Sequence, residues 1–303
     1  MKTRYILWIL TVFLWSSCIR DSVPPCPPLQ VTLTVKDKNY FNINDAVKLG
    51  LLERKAEDLP FRNYVSTLYY IVHDAEGNVV AEQKTTPVDN DEQTQLITLP
   101  LSLPYGTYSV TVWGNMKSDE PLGEDATIGE MEAVGAAAND IYLASATFDY
   151  RYGNEEHTLA MERTKGNLLI KAEGIPDNID FSTKDIQDIY NMVNHNFQYS
   201  SLTDIHTELD WETLEEIKSE TLMCPSPSYE GSTLSVSFID RSAANMPSRE
   251  TYYPTLKPQD VNITMGRNEI TILKYIYKST EGEFEIYVRV NDHWEQIHGM
   301  ELD

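Results

Sequence analysis

Residues 104–115 read PYGTYSVTVWGN, and their pattern sets the class of the fold. Pro104 to Gly106 supply a turn, because proline pre-sets one backbone angle and glycine accepts angles closed to other residues. Beyond it Tyr108, Val110 and Val112 alternate with Thr107, Ser109 and Thr111. A period of two puts one set on an apolar face and the other on a polar face, so the stretch is a half-buried strand.

The same alternation recurs on either side. LQVTLTVK (29–36) places Leu29, Val31, Leu33 and Val35 on one face. VSTLYYIVHDAEGNVVAEQ (65–83) is two strands joined by a glycine-containing hairpin turn, and TQLITLP (94–100) and DIYLASATFDY (140–150) are further strands. Between the first two runs, Asn44 or Asp45 caps a short helix that Pro60 ends. The polar stretch RYGNEEH (151–157) marks a boundary near residue 154, after which HTLAMERTKGNLLIKAEG (157–174) is again strand, turn, strand.

FSTKDIQDIYNMV (181–193) predicts a short helix. Ser182 and Asp185 form a Ser-x-x-Asp capping box, and Ile186, Ile189, Tyr190 and Val193 fall at i, i+3, i+4 and i+7. STLSVSFID, NEITILKYIYK and EFEIYVRV then supply long strands rich in β-branched and aromatic residues. Strands follow strands without regular helical crossovers, so the expected class is all-β: two tandem sandwiches, 29–153 and 154–303, with a few short helices in loops.

Ahead of the first strand, MKTR and then YILWILTVFLW (5–15) have the layout of a secretory signal, two basic residues followed by a short apolar run. Such a run is too short to span a bilayer, which takes about 20 apolar residues. SSCIRDSVPPCPP (16–28) follows. Ser16 and Ser17 before Cys18 resemble a lipobox, although Leu14 stands one position early, with Trp15 in its usual place. Residues 1–17 are therefore expected to be removed and Cys18 lipidated, against an ordinary secretory signal cut nearby. Several acyl chains hold a protein durably where a single chain holds marginally. Residues 18–28, proline-rich, read as an extended tether.

The chain has 303 residues, a net charge of −23 and 41% hydrophobic residues, enough for two real cores. Loss of Lys2 and Arg4 with the signal makes the remainder more acidic still. Such a charge repels phosphate backbones and argues against nucleic acid as a partner. Cys18, Cys26 and Cys224 are the only cysteines, so Cys26 and Cys224 either pair as a disulfide in an oxidising compartment or stand as separate thiols.

Catalytic signatures are missing: no GxSxG, GxxxxGK[ST], GxGxxG or HExxH occurs. His293 and His298 are five apart, which on a strand puts their rings on opposite faces. Asp89 and Asp91 begin a calcium-like loop that lacks the required glycine and the closing glutamate. The carboxylates of ELDWETLEEIKSE (208–220) read as a solvated face. No catalytic residue, cofactor site or metal site is expected, and neither is a small-molecule substrate.

Several of these stretches together resemble the FimB-like family of fimbrial anchoring subunits, the lipoproteins of Bacteroides-type fimbrial systems. SSCIRDSVPPCPP resembles the family's lipidated N-terminus, and LYYIVHDAEGNVV its strand and hairpin. PYGTYSVTVWGN is similar to its Gly-x-Tyr strand ending in Trp-Gly-Asn, and HTLAMERTKGNLLIKAEG to the start of its second domain, with Arg163 in the family's basic position. The likeness spans most of residues 16–175. It implies two transthyretin-like sandwiches and a non-enzymatic protein held in the outer membrane by acylated Cys18, surface-exposed and part of a fimbrium. Such a protein anchors or terminates a fibre and contacts the neighbouring stalk subunit by β-strand addition. It further implies that residues 29–36 stay in their own sheet despite a protease-like site at Arg54 and Lys55, and that residues 283–303 are the candidate subunit contact. Two other roles are open: an accessory or tip subunit, or a surface lipoprotein that binds carbohydrate through exposed aromatics such as Trp113, Trp211 and Trp294.

Overall fold

The computed structural model describes residues 27–100, 103–116, 128–130, 139–211, 216–242 and 255–297. Seven strands make the first sheet: β1 (Gln30–Val35), β2 (Thr67–His73), β3 (Val79–Pro87), β4 (Gln95–Thr98), β5 (Gly106–Gly114), β7 (Tyr142–Tyr150) and β8 (Glu156–Arg163). Their order is β3-β2-β5-β7-β8-β1-β4. β7 and β8 pair only through Tyr142 with Arg163 and Leu143 with Glu162, so the sheet folds over on itself at that corner. Val31, Leu33 and Val35 of β1 thereby meet Val110 and Val112 of β5 in one core. The apolar set of each alternating strand is the buried set, which is what the period of two dictates.

The second half is a sandwich. One layer has the order β11-β10-β13-β14, built from β10 (Phe181–Asn194), β11 (Tyr199–Asp210), β13 (Ser232–Ile239) and β14 (Val261–Ile263), with β6 (Ile128–Glu130) also paired to β10. The other has the order β12-β9-β15-β16-β17, from β9 (Gly166–Glu173), β12 (Ile217–Met223), β15 (Ile270–Lys278), β16 (Glu283–Val290) and β17 (His293–Gln296). Leu234, Val236 and Phe238 of the first layer pack on Ile170, Leu273 and Tyr275 of the second.

Three expectations are corrected. The boundary is not at residue 154: the turn there closes an Arg151–Asn154 bridge, and β8 then returns to run parallel to β1, residue for residue from Gln30 with Glu156 to Val35 with Met161. The chain crosses to the second sandwich between Arg163 and Gly166, because Leu159 and Met161 are buried in the first core. The helix expected at 181–193 is strand β10. Its pairing with β11 shifts between Ile186 and Ile189, where Asp188 takes a φ of 61°. This β-bulge resets the alternation, so Ile186, Ile189 and Val193 all face inward at spacings that imitate a helix. The one α-helix among the described residues, α1 (Ile43–Lys48), has Asn42 at its N-cap instead of Asn44 or Asp45, and it stops at Gly50 (φ 64°), well before Pro60.

Lys184 faces the interior of the second sandwich. It is 5% exposed, and its Nζ donates to Ser219 Oγ at 3.1 Å and to Thr221 Oγ1. Burial brings its pKa down to about 8, so between about pH 8 and 10.4 the unfolded chain holds the proton that the folded one has lost. Stability contributed by this group therefore rises with pH across that window. Urea unfolding of wild type and Lys184→Met should show the wild type gaining about 2–3 kcal/mol relative to the variant from pH 7 to about 10.5; a pH-independent difference would contradict the burial of a charged amine.

Candidate functional site

β1 is the first strand among the described residues. It is an interior strand, parallel to β8 on one side and antiparallel to β4 on the other. The pairing extends past the strand ends: Gln30 N–H donates to the Glu155 carbonyl at 2.8 Å, Leu99 N–H to the Leu29 carbonyl at 2.9 Å and Lys36 N–H to the Met161 carbonyl at 2.9 Å. The tyrosines that begin and end β7 hold the two ends of this segment. Tyr150 donates to the Pro27 carbonyl at 2.5 Å and Tyr142 to the Asp37 carbonyl at 3.1 Å.

Where β1 ends, the two halves meet around Arg163, which is 2% exposed. Its Nε donates to both carboxylate oxygens of Asp140, at 2.8 and 2.9 Å, and one terminal nitrogen donates to the Tyr142 hydroxyl at 2.7 Å. The other terminal nitrogen reaches Asn268 Oδ1, just before β15 in the second sandwich, at 2.6 Å. The backbone N–H of Arg163 donates to Asp37 Oδ2 at 2.8 Å, and its guanidinium lies 4.1 Å from the Tyr40 ring centroid. Burial disfavours the charge, but Asp140, Tyr142 and Tyr40 together outweigh it and raise the guanidinium pKa above its ordinary value. Asn42 adds a second tie, its side chain giving and taking a bond with the backbone of Ile270, at 2.7 and 2.9 Å.

The Trp-Gly-Asn sequence serves this joint. Trp113, 1% exposed, belongs with Tyr69, Ile71 and Leu143 to an apolar cluster continuous with Val193 and Ile189 of the second sandwich. Gly114 leaves no room for a side chain, since a Cβ would lie 2.6 Å from Val65 Cγ1. Asn115, at φ 60°, accepts from Ser66 N–H at 2.8 Å and donates to the carbonyls of Tyr64 at 2.7 Å and Asp140 at 2.9 Å.

The other residues singled out from the sequence are dispersed. Cys18 and Cys26 lie outside the described residues. Cys224 is a fully buried free thiol, which burial pushes up to about 12. It follows Met223, which pairs with Gly166 at the joint, whereas Pro27, next to Cys26, is held at the opposite end of β1.

Arg54 and Lys55 are in an exposed segment between α1 and β2. Asp91 pairs with Arg62 at 2.5 Å, and no group of three or more His, Cys, Asp or Glu among the described residues could hold a metal. His293 is exposed at the start of β17, and His298 lies outside the described residues. Of the proposed aromatic platform, Trp113 and Trp211 are core residues, and Trp294 is half-buried against Lys274, 4.5 Å away. Trp113 and Trp211 belong to the core cluster that includes the second sandwich, and Trp294 packs against a smaller one with Leu169 and Ile272.

No family model matches the chain, and no curated protein matches its sequence. Among solved structures it is similar to the fimbrial anchor protein Mfa2 from Porphyromonas gingivalis, at 9% identity and a TM-score of 0.54, covering 89% of this chain and 100% of that one. A candidate adhesin from Bacteroides thetaiotaomicron matches at 12% identity and a TM-score of 0.55, covering 91% and 100%. A fimbrial assembly protein from Parabacteroides distasonis matches at 10% identity and a TM-score of 0.51, covering 89% and 97%. The chain shares their fold over about nine-tenths of its length.

Arg163→Met leaves Asp140 without its partner inside the joint and should cost about 3–5 kcal/mol in urea unfolding. Asp140→Asn should be costly too, because it leaves the buried guanidinium without its counter-ion. A loss under about 1 kcal/mol for Arg163→Met would show that the joint does not rest on this residue.

Proposed function

We propose that the protein is a non-enzymatic subunit of a fimbrial system, lipid-anchored at Cys18 in the outer membrane, that anchors or terminates the fibre. The observation that carries the reading is the position of β1. The strand that leads directly from the proposed lipid is an interior strand, bonded on both sides and gripped at both ends. Tension applied to the second sandwich would load that ladder along the strands, the direction in which all its hydrogen bonds share the force. The shared fold with a fimbrial anchor and a fimbrial assembly protein supports the same reading.

Cutting at Arg54 or Lys55 would separate β1 covalently, yet it would leave its pairing with β4 and β8 intact. In a stalk subunit, loss of the first strand opens a groove for a neighbour's strand. Here loss of that strand would part the protein from its lipid. Contact with the neighbouring subunit would instead be made at a free sheet edge, and β17, the last strand of its layer, is the one nearest the chain's end.

Three outcomes check the reading. Metabolic acyl labelling of the wild type should disappear in Cys18→Ala, and an unlabelled wild type would remove the lipid anchor. Mass analysis of protein recovered with fibres should find the residues of β1 retained, and a fibre-incorporated form beginning after residue 55 would defeat the idea. Deletion of residues 291–303 should release fibres or change their length, and attached fibres of normal length would exclude β17 as the contact.

A further inference from the structure

Among the described residues, no strand pairing closes the second sandwich on one side. β11 ends one layer and β12 ends the other, and between them a cleft of about 390 Å³ runs into the core. Its lining is divided. Ile170, Ala172, Leu209, Ile217, Val236 and Phe238 make apolar walls, and Lys184 sits among the hydroxyls of Ser182, Thr207, Ser219 and Thr221. The register explains the arrangement: Thr207, Lys184 and Val236 lie side by side on β11, β10 and β13, facing the other layer, while Ser219 and Thr221 face back from β12.

Lys184 is an unusual core residue because the partners of its ammonium are neutral. It has three N–H donors, and the two hydrogen bonds recorded for it go to hydroxyls. Of the charged groups around it, Glu220 acts on it only as a distant field, its carboxylate engaged by Asn167 Nδ2 at 2.6 Å. Glu208 and Lys218 line the cleft as well, and Lys218 is turned toward Glu216 and the Gly50 carbonyl. A buried cation without an anion is costly unless something supplies one. The cleft gives an anionic ligand access to Lys184, where it would complete the pair.

We propose that this cleft binds a single-chain amphiphile ending in a carboxylate, with the carboxylate on Lys184, Ser219 and Thr221 and the hydrocarbon chain along Ile170, Leu209, Ile217, Val236 and Phe238. A peptide strand is a poorer fit. Strand addition proceeds in the plane of a sheet, whereas Lys184 projects perpendicular to it, into the space between the layers. The volume lies in the range of pockets that enclose small ligands. The assignment is independent of the fibre-anchoring role. Burial holds the Lys184 pKa near the top of the physiological range, at about 8, so the site carries its charge at neutral pH and loses it above.

Isothermal titration calorimetry with decanoate and decanol tests it on the purified protein. Decanoate should bind saturably at one site at pH 7, and decanol about tenfold or more weakly, since it lacks the charge that the ammonium pairs with. Affinity for decanoate should fall at pH 9.5, and Lys184→Met, shown to be folded by circular dichroism, should bind the two compounds alike. The comparison of the two compounds and the pH series need no variant, so they decide the matter even if Lys184→Met does not fold. The proposal is overturned by the absence of saturable decanoate binding, by equal affinity for decanol in the wild type, or by an affinity unchanged at pH 9.5 or in folded Lys184→Met. Preference for a peptide with a free C-terminal carboxylate over decanoate would likewise overturn it.

Discussion

A single buried guanidinium holds the two halves of this molecule in register. Arg163 terminates β8, the strand paired in parallel with β1, and its side chain reaches across to Asn268 before β15. A charge in that position must be neutralised and fully hydrogen-bonded, and Asp140, Tyr142, Asn268 and the Tyr40 ring do both. These partners come from three separate segments, around Tyr40, at Asp140 and Tyr142, and at Asn268, so satisfying one side chain fixes the relative positions of all three. An apolar contact alone would leave the halves free to slide. The directional fork of an arginine does not.

Around that point the structure is organised to resist separation of its first strand. β1 is held by ladders on both flanks and by a tyrosine hydroxyl at each end, and both tyrosines come from one strand, β7. The following segment is then tied to the second sandwich through Asn42. A pull on either half is thus carried by many bonds at once. Trp113 and Gly114 pack at this joint, where the apolar cluster is continuous with the second sandwich and a side chain at 114 would meet Val65.

The errors of sequence reading are as informative as its successes. Ile186, Ile189 and Val193 follow the spacing of a helix, and nothing local distinguishes a helix from a strand that carries a bulge. The decision is made by neighbours: β11 and β13 offer long ladders on both flanks, and Asp188 absorbs the extra residue in a left-handed conformation. Asn42 illustrates the same competition. A capping asparagine is expected to serve its own helix, yet its side chain pairs with Ile270 in a distant strand. The boundary misplaced at residue 154 has a related cause, since the polar turn there is local while the parallel pairing that overrides it joins residues far apart in the chain.

Local alternation of apolar and polar residues was sufficient to determine the all-β class, most individual strands and the inward set of β1 and β5, because each depends only on near neighbours in the chain. The order of strands in the sheets, the crossing at Arg163, the partners of that arginine and the cleft beside Lys184 were decided by the tertiary structure. Lys184 shows the reason most plainly. In the sequence it is one lysine in a polar stretch, Ser-Thr-Lys-Asp, and it becomes a buried amine only when β12 is brought opposite β10 by pairings the intervening residues do not encode.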